Sequence, residues 1–99
     1  MNITFDSRAK KILKHLSHED QGCITGYIDL LSEHGFNMTS QYLKKLGSNL
    51  WELRPGRIRV LFGLISSEAV IVNIFKKKTQ KTPIKEMEIA IKRLKEYIL

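Results

Sequence analysis

The sequence has few residues that could cross-link the fold through a disulfide or a bound metal. Cys23 is the only cysteine among 99 residues, which excludes an internal disulfide and fits a reducing compartment. We expect its side chain to be a small buried apolar group. The histidines number three, and no cluster of carboxylates or cysteines stands near them at ligand spacing. We therefore expect neither a bound metal nor a cofactor.

Long apolar segments are also missing. No run approaches the roughly 20 residues that a membrane helix needs, and residues 1–16 lack the continuous apolar core of a signal peptide. The sequence contains no internal repeat, low-complexity segment or linker. These absences predict a cytoplasmic protein that does not bind a membrane and that folds as one domain over residues 1–99.

Positive charge, in contrast, is abundant. The chain has 17 Lys and Arg against 10 Asp and Glu, which gives a net charge of +7. A surplus of this size in a short chain attracts phosphate polyanions, anionic membranes or an acidic partner. The alternative interpretation is that the charge serves solubility alone.

Helical periodicity dominates the first half of the chain. Within residues 7–16 and again within residues 17–34, apolar side chains recur at spacings of three and four, which predicts two short helices in a hairpin. Ser17 fits the N-cap position of the second helix. We expect a short strand at residues 2–5 before this hairpin and one further helical turn at residues 40–46 after it.

The apolar pattern changes to a period of two after residue 50. Residues 50–54, 57–65 and 69–75 predict three strands joined by short turns, which favours antiparallel pairing. Thr82 as N-cap and Pro83 at the first helical position then predict an amphipathic C-terminal helix. The predicted fold class is α+β, with an N-terminal helical hairpin, a three- or four-stranded antiparallel sheet and a C-terminal helix.

The cations of the second half are concentrated at the ends of the predicted strands. Arg57 and Arg59 alternate with apolar residues, so both side chains should point to one face of the sheet. Arg54 ends the neighbouring strand, and a run of lysines follows the third strand. Such a patch suits a phosphate backbone, because Arg grips phosphate oxygens in two places and Lys adds a point charge. The alternative is that these are solvated charges at strand ends.

Two stretches of the sequence resemble the toxins of the RelE/HigB superfamily, especially the branch first described from phage proteins. They are LKKLGSNLWELRPGRIRVLFGLI at residues 43–65 and IFKKKTQKTPIKEMEIAIKRLKEY at residues 74–97. Members typically have a K-x-L-G-x-x-L-W-E-L-R block, an R-x-R-V-L-F strand, an F-x-K-K-T-Q-K-T-P segment and an E-x-x-x-A-x-x-R helix, in this order. The two stretches lie within residues 43–97, a span of more than half of the chain.

The resemblance implies a RelE-like microbial RNase-type fold and an endoribonuclease that cleaves mRNA on the ribosome without a metal. It also implies a cognate antitoxin that neutralises the toxin by tight binding, and in this branch the antitoxin is usually a HigA-like helix-turn-helix protein. Cleavage would proceed by attack of the RNA's own 2′-hydroxyl on the adjacent phosphate. Cations aimed at the developing negative charge usually contribute most to such a reaction.

The family motifs and the charge pattern together suggest roles for individual residues. Arg59 would stabilise the transition state, Arg54 and Arg57 would orient phosphates, and a lysine with a lowered pKa would transfer a proton. The residues expected in catalysis are Arg54, Arg59, Lys77 and Lys78, and those expected to bind RNA are Arg57, Lys76, Lys81 and Asn73. Many members of this branch have a histidine where this chain has Asn73, which leaves the general base open.

Two other functions remain as alternatives at this point. Relatives of the ParE type share the fold but inhibit DNA gyrase by binding it, without catalysis. A small RNA-binding protein without enzymatic activity would also need a basic surface. Growth arrest with cut transcripts, growth arrest with a DNA-damage response, and no growth arrest would distinguish the three.

Overall fold

The structure, a computed structural model, describes residues 1–98 and confirms the α+β class. Leu99, the last residue of the predicted domain, lies outside the described residues. The elements in chain order are β1 (Ile3–Phe5), α1 (Ser7–His15), α2 (His18–His34), a 3₁₀ turn (Gly35–Asn37), β2 (Leu43–Gly47), β3 (Leu50–Leu53), β4 (Ile58–Ile65), β5 (Glu68–Lys76) and α3 (Ile84–Lys95). No helix within residues 1–98 combines the length and the apolar character needed to cross a membrane.

The sheet has five strands in the order β1-β5-β4-β3-β2, rather than the predicted three or four. It is mixed, because β1 pairs with β5 in parallel while the other neighbours are antiparallel. The helical turn predicted at residues 40–46 is wrong, since residues 43–47 form β2. The spacing of three between Leu43 and Leu46 suggested one face of a helix, but the two leucines join cores on opposite faces of the sheet.

The helix starts follow local capping chemistry in two of three cases. Ser17 caps α2 as predicted, because its hydroxyl accepts a hydrogen bond from the backbone N–H of Asp20 at 3.1 Å. Asp6 caps α1 in the same manner through the N–H of Arg8. The predicted cap of α3 is wrong, because Pro83 occupies the N-cap position and the hydroxyl of Thr82 donates to Glu52 instead.

The two faces of the sheet bury separate apolar cores. Helices α1 and α2 cover one face, where Ile24 and Leu31 of α2 belong to the same core as Phe62 of β4. The exposed position of Cys23 contradicts the expected burial, because the buried side of α2 runs through Ile24 and Leu31 instead. On the other face, α3 packs through Ala90 and Leu94.

Close packing of α3 depends on a glycine in β4. A Cβ atom at Gly63 would lie 2.6 Å from the carbonyl oxygen of Asn49 and 2.7 Å from a methyl carbon of Leu94. Both distances are shorter than real Cβ contacts, so any side chain at residue 63 would push the helix or the β2–β3 turn away from the sheet.

A β-bulge in β5 determines which residues of its C-terminal half face α3. Leu61 pairs with Asn73 and Phe62 pairs with Ile71, so Val72 is the extra residue. Val72 and Asn73 therefore both lie on the α3 side, and the alternation resumes with Phe75 on that same side. The carbonyl of Val72 is satisfied by Nη1 of Arg93 at 2.8 Å.

Candidate functional site

An open cavity of about 530 Å³ lies where β4 begins and β5 ends. We call it the cationic cavity, and its lining residues are Gly56, Arg57, Arg59, Lys77, Lys78 and Thr79. The backbone N–H of Lys77 donates to the carbonyl of Arg57 at 2.8 Å, which extends the β4–β5 pairing to the cavity edge. Four of the residues predicted from the sequence to act in catalysis or RNA binding thus line one cavity.

Arg59 is the most buried cation of the cavity, with 8% of its surface exposed. Its Nη1 donates to the carbonyls of Gly56 at 2.7 Å and Ile58 at 2.8 Å. Gly56 has a φ of 59°, a left-handed conformation that glycine adopts without strain and that shapes the turn before β4. Within residues 1–98, the buried Nε of Arg59 has no hydrogen-bond partner. The two backbone carbonyls therefore fix the guanidinium in place.

Lys77 is half-buried and lies beside other cations. Its pKa is lowered, first because burial removes water from the ammonium group and then because the charges of Arg59 and Arg54 repel a further positive charge. Lys44 adds to the repulsion, whereas the carboxylate of Glu52 opposes it. A lysine with a lowered pKa has a larger neutral fraction near neutral pH and can transfer protons there.

The pKa of Arg59 is lowered as well, mainly by burial. The charge of Arg54 lowers it further, while Glu52 and Tyr27 act in the opposite direction. The same few charged groups thus influence both Arg59 and Lys77. The end of the sheet behaves as one electrostatic cluster with more positive than negative members.

Sequence reasoning missed Glu52, the only acidic member of this cluster within residues 1–98. It is 1% exposed and accepts a hydrogen bond from the hydroxyl of Thr82. Its Oε1 lies 3.5 Å from Nε of Arg54 and 3.8 Å from Nε of Arg59. A single charge inside the apolar strand LWEL was the available signal, because a buried carboxylate needs a partner. Lys44, opposite Glu52 in the sheet, was missed because β2 was predicted as a helical turn.

Arg54 and three other predicted residues lie outside the lining of the cavity. Arg54 is half-buried and donates to the carbonyl of Ser40 at 3.3 Å, next to the electrostatic cluster. Lys76 pairs with Asp20 of α2 at 3.6 Å, and Lys81 is an exposed residue of the loop before α3.

Asn73, which the sequence predicts to bind RNA, lies outside the lining of the cavity. The residue is 3% exposed, and its amide nitrogen donates to the backbone carbonyl and to Oε1 of Glu86, both at 3.1 Å. The amide therefore holds the start of α3 against β5. The bulge at Val72 is the physical reason, because it turns Asn73 toward the helix.

The comparison with protein families decides the relationship of the chain. The family described as "Phage derived protein Gp49-like (DUF891)" matches residues 11–95. The chain belongs to this family. The similarity to the phage-derived branch that the sequence motifs indicated is thereby confirmed. A search of curated protein sequences finds no match.

Solved structures of RelE toxins have the fold of this Gp49-like protein. A chain of the archaeal RelE–RelB complex from Pyrococcus horikoshii matches with a TM-score of 0.65 and 17% identity, over 81% of this chain and 97% of that one. The isolated RelE toxin of E. coli matches with a TM-score of 0.61 and 15% identity, over 94% of this chain and 97% of that one. The predicted RelE-like fold is confirmed.

The cavity of the Gp49-like protein suits the chemistry of a phosphodiester. Its side chains can donate hydrogen bonds and neutralise negative charge, and one of them has a pKa shifted toward neutrality. Within residues 1–98, no group of three or more His, Cys, Asp and Glu side chains is placed to hold a metal ion. The groups present are those that stabilise a charged phosphorus centre directly.

Proposed function

We propose that this Gp49-like protein is the toxin of a toxin–antitoxin pair and cleaves mRNA in the cationic cavity. The observation behind this proposal is the convergence of Arg57, Arg59, Lys77 and Lys78 on one open cavity. A volume of about 530 Å³ falls within the range of sites that hold small-molecule-sized groups, such as a ribose with its phosphate. Solvated strand-end charges would not require one arginine to be buried and held by two backbone carbonyls.

The reaction is transesterification at phosphorus. The 2′-hydroxyl of the RNA loses its proton to the neutral amine of Lys77, and its oxygen forms a bond to the adjacent phosphorus. The bond from phosphorus to the 5′-oxygen breaks, and the protonated Lys78 supplies a proton to that oxygen. The products are a 2′,3′-cyclic phosphate and a 5′-hydroxyl.

The arginines act on charge and position. Arg59 is held by backbone carbonyls before the substrate arrives, so it stabilises the extra negative charge of the transition state without having to reorganise. Arg57 is exposed on the rim and orients the phosphate together with Lys78. Arg54 contributes through its positive charge at the edge of the cluster.

The partners of the reaction are an mRNA on the ribosome and a cognate antitoxin of the HigA-like helix-turn-helix type, in the cytoplasm. Support comes from the sequence motifs, from the RelE fold and from the archaeal relative, which was crystallised as a RelE–RelB complex. The net charge of +7 would speed association with RNA and with an acidic partner.

Induced expression followed by mapping of transcript 5′ ends tests the proposal. Wild type should stop growth and leave new 5′-hydroxyl ends, whereas Arg59→Ala should reduce cleavage about 100-fold or more. Since Arg59 is buried, circular dichroism must confirm that the variant folds, and the exposed Arg57→Ala provides a second test. Lys10→Ala, on the exposed side of α1, is the control.

Two results would contradict the proposal. One is undiminished cleavage by folded Arg59→Ala and Arg57→Ala proteins. The other is a DNA-damage response with intact transcripts, which would instead support a gyrase inhibitor.

A further inference from the structure

We infer that Glu52 is a positioning residue of the cationic cavity. Its carboxylate joins the end of β3 to Arg59 of β4 and to the loop at residues 77–82, which contains Lys77 and Lys78. This inference deepens the proposed function and depends on it for its kinetic test.

The contacts of Glu52 reach two other segments of the chain. One carboxylate oxygen, Oε1, faces Nε of Arg59 at 3.8 Å, while the other accepts from the hydroxyl of Thr82. Thr82 lies five positions after Lys77, at the far end of the same loop. A residue 1% exposed thus connects the fixed arginine to the segment that holds the proton-transferring lysine.

The negative charge of Glu52 offsets the repulsion among the cations around it. Burial of an ionised carboxylate is unfavourable unless cations and donors surround it, and here Arg54, Arg59 and Thr82 do so. Conversely, Arg54, Arg59, Lys44 and Lys77 would repel one another at the sheet end without a negative charge among them. Glu52 balances part of this repulsion and leaves a positive surplus for the substrate phosphate.

The electrostatic consequence concerns Lys77. The charged groups that act on Lys77 are Glu52 of β3, Arg59 of β4, Arg54 after β3 and Lys44 of β2. The three cations lower the pKa of Lys77, and Glu52 alone among them raises it. Removal of the negative charge should therefore lower the pKa of Lys77 further and shift the pH–rate profile to lower pH. A residue with only a packing role would leave that profile in place.

The experiment uses the full chain and three variants. Glu52→Gln removes the charge but keeps the shape, Thr82→Val removes the hydrogen bond but keeps the charge, and Glu88→Gln removes an exposed charge of α3 as control. Lysines are labelled with ¹³C-methyl groups, and Lys77 is titrated by NMR without RNA, its signal being assigned with Lys77→Arg. Cleavage of an mRNA bound to ribosomes is measured over the same pH range.

The expected results separate charge from position. Glu52→Gln should shift the Lys77 titration and the corresponding limb of the cleavage profile to lower pH, whereas Glu88→Gln should shift neither. Thr82→Val should leave the titration in place but slow cleavage by up to about 100-fold, because small displacements of catalytic groups are costly.

The inference is overturned if folded Glu52→Gln has the wild-type Lys77 titration. It is also overturned if Thr82→Val cleaves as fast as wild type, and this second test holds even if Glu52→Gln does not fold. Absence of cleavage by wild type would instead refute the proposed function, while the RNA-free titration would still decide the role of Glu52.

Discussion

Two buried carboxylates organise two charged clusters in this protein, and the clusters differ in how completely their groups are paired. At the N-terminus of α1, Asp6 accepts hydrogen bonds from Nε of Arg8 at 2.9 Å and from the hydroxyl of Tyr97 at 2.6 Å. Arg8 also binds Glu96 at 2.8 Å. In this cluster, one cation serves two carboxylates.

The cluster around Glu52 has the opposite balance. One carboxylate faces several cations, and the Nε of Arg59 is buried without a hydrogen-bond partner within the part of the chain that the structure describes. The Nε of Arg59 itself faces Glu52, and the surplus of positive charge beside the open cavity suits an anionic ligand. We therefore expect substitutions in the Asp6 cluster to reduce stability and substitutions in the Glu52 cluster to reduce the proposed activity.

The largest expected effect is a loss of activity in the Glu52 cluster. Lys77→Ala should lower the cleavage rate by about 100-fold or more, because it removes the proposed proton-transferring group, with little change in stability. Lys76→Ala is the matched control, because Lys76 precedes Lys77 in the chain but pairs with Asp20 and lies outside the lining of the cavity. Single-turnover cleavage of RNA measures the rates of both variants. Equal losses of rate for the two variants would contradict a special role for Lys77.

The next effect is a loss of stability in the Asp6 cluster. Asp6→Asn removes the negative charge to which Arg8 and Tyr97 donate, while the asparagine can still cap α1. Because the charge is lost from a buried pair, the free energy of unfolding should fall by about 2–4 kcal/mol. Urea denaturation measures the loss, and cleavage per folded molecule should equal that of wild type. A stable Asp6→Asn protein with impaired cleavage would reverse the assignment of the two clusters.

Acid should weaken the same cluster. Hydrogen bonds from Arg8 hold the pKa of Asp6 far below its ordinary value of 3.8, with a further contribution from Tyr97. The depressed pKa stabilises the folded state at neutral pH, and this contribution is lost as the pH falls below about 4. Urea midpoints recorded between pH 7 and 3 should decline in wild type and decline less in Asp6→Asn. If the urea midpoints of wild type and Asp6→Asn decline equally, Asp6 is not the cause of the acid sensitivity.

The smallest effect is expected for Tyr97→Phe. The change deletes one hydrogen bond to Asp6 and keeps the ring, so the free energy of unfolding should fall by about 1 kcal/mol. The acid dependence should remain, because Arg8 is the first cause of the lowered pKa of Asp6. Thermal denaturation at neutral and acid pH checks both statements.

Local signals in the sequence predicted most elements of the fold and four lining residues of the cavity. Some features depend only on residues that are close in the sequence, so the sequence is enough to predict them. They are the helix periodicity, the Ser17 cap and the alternation around Arg59. The partner of Asp6, in contrast, lies 91 positions away at Tyr97, and no local pattern connects the two. Strand β2 escaped prediction because its leucines are spaced like those of a helix.

The positive charge of the cavity could be predicted from the sequence, but the identity of all the residues around it could not. The sequence showed a cluster of cations, yet which lysine enters the cavity depends on the bulge at Val72 and on pairing with β4. Glu52 appeared as one polar residue in an apolar strand, and its contact with Thr82 depends on the path of the loop before α3. Such features arise from tertiary packing and are not encoded in short motifs.

The extra residue in β5 has a consequence for how the protein tolerates insertions and deletions. Deletion of Val72 would leave Leu61 opposite Asn73 and Phe62 opposite Ile71 in regular pairing, so every later side chain would keep its face. A deletion between Asn73 and Lys76 has no such allowance and would turn the side chains that follow it to the opposite face. Because three lysines stand in succession at residues 76–78, an amine would still point into the cavity after that slip.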